Sequence, residues 1–195
     1  MKKRTFLHTT AIGAAALLST PMHARAGKTQ LDGPVLLTVT GAISKANRGA
    51  LDPALDQLMT KQKLSFDRAF TFDFTDLDKL SRQTVFPTIE YDAKAHRLSG
   101  PTIENVLKTV GASENASVLL RAIDGYAVAV EASDLRKYGF IIASRIDEQP
   151  MALGGLGPLW AVYDADRFPD MAAKPLNQRF ALCPWGLYHI HVVTR

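Results

Sequence analysis

The sequence predicts an α+β domain in which short strands outnumber helices. The strand-like runs are short and numerous, they do not alternate regularly with helical segments, and an Asp-Gly turn joins two of them as a hairpin. With 195 residues, the chain is long enough for one domain with a hydrophobic core. Cys183 is the only cysteine, so no internal disulfide can form and the fold must rest on that core.

The first 26 residues have the pattern of a cleavable signal peptide. Lys2–Arg4 is a basic start, Ala11–Leu18 is an apolar run too short to span a bilayer, and Ala24–Ala26 is a small-x-small cleavage site. Lys3–Leu7 also resembles a twin-arginine signal with lysine in place of the first arginine, so twin-arginine and ordinary export both stay open. We therefore expect a soluble periplasmic domain over residues 27–195, with no membrane span in the mature chain.

The charge of the expected mature chain argues against nucleic acid as a partner. Four of the 23 Lys and Arg residues lie in the first 26 residues, which leaves 19 basic residues against 19 acidic ones. A neutral domain has no general attraction for phosphate backbones or anionic lipids. The expected partner is a small molecule or another periplasmic protein.

The chain then divides, in order, into strand-like and helical segments. Runs rich in β-branched or alternating apolar residues predict strands, and capping residues before apolar positions three or four apart predict helices. The predicted strands are Val35–Ile43, Phe70–Phe74, Gln83–Tyr91, Ser117–Ile123, Tyr126–Val130, Phe140–Ser144, Leu159–Tyr163 and Leu187–Thr194. The predicted helices run from Asp52 to about Lys63, after a capping box at Thr75–Asp78, from Pro101 to Gly111, and over Leu135–Tyr138 before Gly139. Asp124-Gly125 predicts the hairpin, and Asp147–Pro150 predicts a turn.

His189 and His191 form the clearest ligand-like pair. Two residues apart on a strand, they share one face, as a metal site would need. The mature chain has one other histidine, His96, and no pattern places an acid such as Asp73 or Glu90 beside the pair. We therefore favour a half-exposed edge strand over a metal site.

Two further features have both a structural and a functional interpretation. Cys183 lies in the apolar segment Phe180–Trp185, which favours a small buried side chain over a metal ligand or nucleophile. Gly154–Pro158 could cradle a phosphate, but it lacks a following Lys-Ser or Lys-Thr and leads into a strand. It could equally be a turn that brings Trp160 into the core.

Several weak motifs become specific through their order. They are Ser99–Leu107, Val110–Ala112, Ala122–Tyr126, Ser133–Leu135, Ile142-Ala143, Gln149–Met151 and Gly157–Trp160. This order resembles the oxidoreductase molybdopterin-binding domain, the fold of the sulfite oxidase catalytic domain, over residues 33–195. The resemblance implies a mixed, mostly-β fold of that kind, and oxidoreductase chemistry by resemblance only.

Two departures from the family pattern bear on function. The family's molybdenum-ligating cysteine would lie in Thr84–Tyr91, which has none, and the arginine after its Gly-x-Pro-Leu motif is Trp160 here. Molybdenum needs a soft thiolate in such sites, and an indole cannot bind an anion bidentately. We therefore expect a relic pocket with no metal site and no cofactor. Its candidate lining residues are Asp124, Tyr126, Arg145 and Trp160.

Three functions stay open from the sequence. The first is a ligand-binding or accessory protein that has lost molybdenum coordination, and the second is an oxidoreductase that holds a molybdopterin by non-covalent contacts alone. The third is a docking module of a periplasmic redox or sensory system, which predicts an exposed apolar patch. A Cys183 thiol in a deep cleft beside Asp124 and Trp160 would favour a metalloenzyme instead.

Overall fold

The computed structural model describes residues 33–193, and the predicted signal peptide lies outside them. Over these residues the structure confirms an α+β fold. The strands are β1 (Leu37–Gly41), β2 (Phe70–Phe72), β3 (Arg82–Val85), β4 (Leu98–Pro101), β5 (Ser117–Ala122), β6 (Ala127–Val130), β7 (Ile141–Ala143), β8 (Arg145–Ile146), β9 (Gln149–Pro150), β10 (Trp160–Val162) and β11 (Leu187–Val193). The α-helices are α1 (Gln57–Lys61), α2 (Phe74–Lys79), α3 (Ile103–Thr109), α4 (Ala132–Tyr138) and α5 (Pro169–Ala172).

The strands form three sheets. The largest has the order β2-β1-β11-β5-β6, in which β1 and β11 are parallel and the other neighbours are antiparallel. A four-stranded sheet has the order β3-β4-β8-β9, and β7 pairs with β10. Strands β4 and β7 approach closely, since a Cβ at Gly100 would lie 1.8 Å from the carbonyl oxygen of Ile142. Glycine is therefore required at that crossing.

The structure confirms two predictions that depend on local sequence, the β5–β6 hairpin and the end of α4. Asp124-Gly125 turns the chain between β5 and β6, with Gly125 at φ 95°. Gly139 ends α4 in the left-handed conformation at φ 62°, as the sequence predicts.

Two other helix starts differ from the prediction. The capping box of α2 joins Asp73 and Asp76 and not Thr75 and Asp78, because Asp73 is the residue whose side chain accepts from the N3 backbone N–H. The helix after Pro101 begins at Ile103, with Thr102 as its cap.

The helix predicted over residues 52–63 is much shorter than expected. The Asp52 side chain accepts from the N–H groups of Ala54 and Leu55, which closes a turn, and α1 begins only at Gln57. Leu55 is 82% exposed, so the apolar spacing that suggested a longer helix does not mark a buried face.

The predicted strand Gln83–Tyr91 is also shorter, because β3 ends at Val85 and Pro87 follows in a loop. We call residues 86–97 the cavity loop, since Glu90 and Tyr91 within it line the cavity described below. No helix within residues 33–193 combines the length and apolar character needed to cross a bilayer.

Candidate functional site

A cavity of about 220 Å³ opens beside the β5–β6 hairpin. It is formed by the hairpin turn, the cavity loop, β10 and the segment before β11. Five of its ten lining residues are aromatic, and two are carboxylic acids. The aromatic residues are Tyr91, Tyr126, Trp160, Phe180 and Trp185, and the acids are Glu90 and Asp124.

The floor of the cavity is buried and fully hydrogen-bonded. Trp160 is 1% exposed, and its indole N–H donates to the carbonyl oxygen of Cys183 at 2.9 Å. The Phe180 ring packs beside it, with the ring centroids 6.0 Å apart. The Gly154–Pro158 segment therefore delivers Trp160 to the core, and its glycines do not line the cavity.

The hairpin side of the rim is built by the Asp-Gly turn. Asp124 Oδ1 accepts the backbone N–H of Tyr126 at 2.8 Å, which fixes the turn. The Tyr126 hydroxyl donates to the carbonyl oxygen of Ala181 at 2.7 Å, so the ring bridges the hairpin and the segment before β11. Tyr126 remains 47% exposed.

The opposite side of the rim comes from the cavity loop. The Tyr91 hydroxyl lies beside the Glu90 carboxylate and the Trp185 side chain. Burial, followed by the neighbouring Glu90 carboxylate, raises the pKa of Tyr91. Tyr91 and Trp185 are 55% and 39% exposed, so they form an open aromatic rim.

Side-chain contacts hold the cavity loop in place. Asp166 accepts the N–H of Thr88 at 2.7 Å near the start of the loop. Near its end, His96 lies between Asp147 at 2.7 Å and Asp92 at 2.9 Å. The hydrogen bonds to Asp147 and then Asp92 raise the pKa of His96, because both carboxylates stabilise the imidazolium form.

The structure brings three of the four predicted site residues together. Asp124, Tyr126 and Trp160 line the cavity, whereas Arg145 does not. Arg145 lies on β8, where its guanidinium is 3.5 Å from Asp78 and stacks over the Phe74 ring. Its role at the pocket therefore has no support from the geometry.

Sequence reasoning missed five residues that carry much of the lining. They are Glu90, Tyr91, Phe180, Cys183 and Trp185. Three of these lie in the segment Phe180–Trp185, where the only local signal was two aromatic residues close to a cysteine. The other two lie in Thr84–Tyr91, a stretch that contains no cysteine.

Cys183 lines this cavity beside Asp124 and Trp160, the arrangement that would favour a metalloenzyme. The side chain is 4% exposed, however, and burial raises the pKa of its thiol well above the usual range. Within residues 33–193, no group of three or more His, Cys, Asp or Glu side chains is arranged to hold a metal ion.

The histidine pair lies in the centre of the largest sheet and not at an edge, because β11 pairs with β1 and β5. The prediction of a half-exposed edge was therefore wrong. His189 is 3% exposed, and Thr40 Oγ1 lies 2.9 Å from His189 Nε2 and 3.0 Å from His191 Nδ1. Burial lowers the pKa of His189 to about 3, so its ring is neutral at pH 7. The shared hydroxyl gives the pair a structural role.

A larger cavity of about 320 Å³ lies between α3 and α4. Its lining includes surface charges of both signs, among them Glu104, Lys108 and Arg136. Arg136 already donates to the carbonyl oxygen of Glu114. None of the predicted site residues lies there, so the smaller aromatic cavity is the better candidate.

The chemistry of the aromatic cavity does not fit an anionic molybdenum cofactor. Among the described residues that line it there are two carboxylic acids and no Lys, Arg or His. A molybdopterin carries a phosphate group, which protein sites bind with cations or free N–H donors. The volume of about 220 Å³ is also below the range of about 300–1,000 Å³ that is usual for drug-sized ligands, so the cavity suits a molecule much smaller than a molybdopterin.

Comparison with known proteins supports the fold. No protein-family model matches the chain, and no curated protein matches it. Among solved structures, it is similar to the crystal structure of the sulfane dehydrogenase SoxCD from Paracoccus pantotrophus, with a TM-score of 0.53 and 10% sequence identity. The fold is sulfite-oxidase-like. The match covers 82% of this chain but 38% of the SoxCD chain, and at this identity it shows the fold alone.

Proposed function

We propose that this protein is an exported, periplasmic ligand-binding domain that uses a sulfite-oxidase-like fold without a molybdenum cofactor. The observation that carries the proposal is the cavity beside the hairpin. It combines Asp124, Tyr126 and Trp160 with a cavity loop that has no cysteine and a Cys183 thiol that burial keeps protonated. These features support binding of a small molecule, and within residues 33–193 the side chains are not grouped as a metal site would require.

Native mass spectrometry tests this proposal on the chain expressed with its full sequence and recovered from the periplasm. We expect a mass that corresponds to cleavage after Ala26 and no pterin adduct. Recovery of the protein with a bound pterin would overturn the cofactor-free function. Recovery only from the cytoplasm, with residues 1–26 still attached, would overturn export.

A second candidate is an oxidoreductase that holds a molybdopterin non-covalently. It is favoured by the structural likeness to a protein described as a sulfane dehydrogenase. Metal analysis after expression in a host that makes molybdenum cofactors separates the two candidates. Stoichiometric molybdenum or tungsten would establish the second, and a metal content at background would support the first.

A further inference from the structure

The polar ends of the aromatic residues at the cavity are already used inside the protein. The Tyr126 hydroxyl donates to Ala181, and the Trp160 N–H donates to Cys183. The Tyr91 hydroxyl lies beside the Glu90 carboxylate and the Trp185 side chain. The aromatic lining therefore offers mainly ring surfaces to a ligand, because the Tyr126 and Trp160 donors already bond within the protein.

An anion and a cation would meet this lining very differently. An anion requires free donors or positive charge, and no Lys, Arg or His is among the described residues that line the cavity. A cation is attracted by aromatic ring faces and by carboxylates. Glu90 and Asp124 supply the carboxylates on two different sides, from the cavity loop and the hairpin turn.

The exposed rim adds a second argument for a cation with an organic shell. Tyr91, Tyr126 and Trp185 are 55%, 47% and 39% exposed, although aromatic side chains gain most from burial. A ligand with methyl or methylene groups around its charge would cover these rings and contact them favourably. A bare, strongly hydrated metal ion would not cover the rings or contact them favourably. The described residues also contain no metal-binding group here.

We propose that the cavity binds a small organic cation of the alkylammonium class, with its charged nitrogen held against the aromatic rings between Glu90 and Asp124. This inference rests on the proposed ligand-binding function and specifies its ligand. Tyr91, Tyr126 and Trp185 on the rim provide the exposed ring surface. Glu90 and Asp124 supply the negative potential that selects a positive ligand.

The chain provides its own reporter for this site. It contains two tryptophans, and both line the cavity. Intrinsic tryptophan fluorescence can therefore follow a titration with choline, and with 3,3-dimethyl-1-butanol as its neutral isostere. The two probes have nearly the same shape, so the difference between their dissociation constants measures the contribution of the charge. We expect choline to bind about tenfold more tightly.

Three matched variants separate the cavity carboxylates from a general charge effect. Glu90→Gln and Asp124→Asn keep side-chain shape and hydrogen-bond acceptors while removing one charge each. Both should weaken choline binding by about threefold or more and leave dimethylbutanol binding unchanged. Asp67→Asn serves as control, because Asp67 is exposed and does not line the cavity. Circular dichroism of each variant checks that the fold is kept.

Each result decides for or against the cation. Preferential choline binding that depends on Glu90 and Asp124 supports it. Equal affinity for choline and dimethylbutanol would overturn it and leave a cavity that binds neutral apolar ligands, so the proposed function would stand. Tighter binding of inorganic phosphate than of choline would overturn both the cation and the argument against an anionic cofactor. No response to any of the three probes would overturn the cation and count against ligand binding.

Discussion

The central strand β11 and the cavity loop both contain histidine, and the pKa values of His189 and His96 are shifted in opposite directions. His189 on β11 is 3% exposed, and burial lowers its pKa to about 3. His96 at the end of the cavity loop lies between Asp147 and Asp92, which raise its pKa. The same residue type is thus a neutral structural group in the sheet and, at the cavity loop, a clamp whose carboxylate partners favour its protonated form.

This contrast shows what separates the scaffold from the candidate site. In the sheet, one nitrogen of each histidine ring lies within hydrogen-bond distance of a single hydroxyl, that of Thr40. Around the cavity, carboxylates and half-exposed rings face outward, with their negative charges not offset by any basic residue among the described lining residues. The exposure of the side chains and the balance of their charges therefore distinguish the cavity from the sheet. The mere presence of histidine or carboxylate side chains does not.

The largest expected effect is acid destabilisation through His189. The unfolded histidine has a pKa near 6.5 and the folded one about 3, so the unfolded state binds more protons between these values. The contribution to stability is fully present above about pH 6.5 and falls as the pH drops towards 3, by on the order of a few kcal/mol. Urea unfolding at pH 7 and pH 4, repeated on His189→Gln, measures it. An equally steep loss of stability in the variant would contradict the assignment.

The next effect concerns the hydroxyl shared by the two histidines. Thr40→Val keeps the side-chain shape but leaves His189 Nε2 and His191 Nδ1 without this partner. The expected loss is about 1–3 kcal/mol in the free energy of unfolding, because buried polar atoms would be unsatisfied. Thr71→Val is the matched control, since that buried hydroxyl meets one side chain, Asn47. If Thr40→Val is no less stable than Thr71→Val, the Thr40 hydroxyl does not hold His189 and His191 in place.

A smaller and more local effect is expected at the cavity loop. Asp147→Asn removes one charge from the His96 clamp, and asparagine tolerates the positive φ of 47° found at Asp147. The free energy of unfolding should change by less than about 1 kcal/mol, because the group is exposed. Hydrogen exchange at the Ile89 amide, which bonds to Lys94 within the loop, should become faster. Unchanged exchange would mean that His96 does not hold the loop.

The pH response of the cavity loop should run opposite to that of the sheet. Because the folded pKa of His96 is raised, its stabilising contribution is present below about pH 6.5 and is lost as the pH rises through the folded pKa. Ile89 exchange, corrected for the intrinsic effect of pH, should therefore become less protected at higher pH. Asp147→Asn should reduce this dependence, and a dependence of the same size would exclude His96 as its source.

The smallest effect is expected at Arg145. This residue pairs with Asp78 at 3.5 Å, away from the cavity, and such partly exposed ion pairs contribute about 0–1 kcal/mol. Arg145→Gln should leave choline affinity unchanged in the fluorescence titration. A loss of affinity as large as that of Asp124→Asn would restore Arg145 to the site.

The sequence predictions succeeded where the structure depends on neighbouring residues and failed where it depends on residues far apart in the sequence. The hairpin at Asp124-Gly125 and the end of α4 at Gly139 depend on local turn geometry, so the sequence revealed them, and with them Asp124 and Tyr126. The position of β11 depends on pairing with β1, about 150 residues earlier, and no local pattern shows it. Tyr91 and Trp185 likewise meet only in three dimensions.

The sign of the electrostatic potential at Trp185 can be measured without any choice of ligand. Fluorescence quenching by caesium and by iodide, each normalised to quenching of N-acetyltryptophanamide at the same ionic strength, compares the access of a cation and an anion to the exposed indole. We expect stronger relative quenching by caesium, and a loss of that preference when Glu90→Gln and Asp124→Asn are combined. Relative quenching by iodide that equals or exceeds that of caesium in the unmodified protein would contradict a cavity built for a positive ligand.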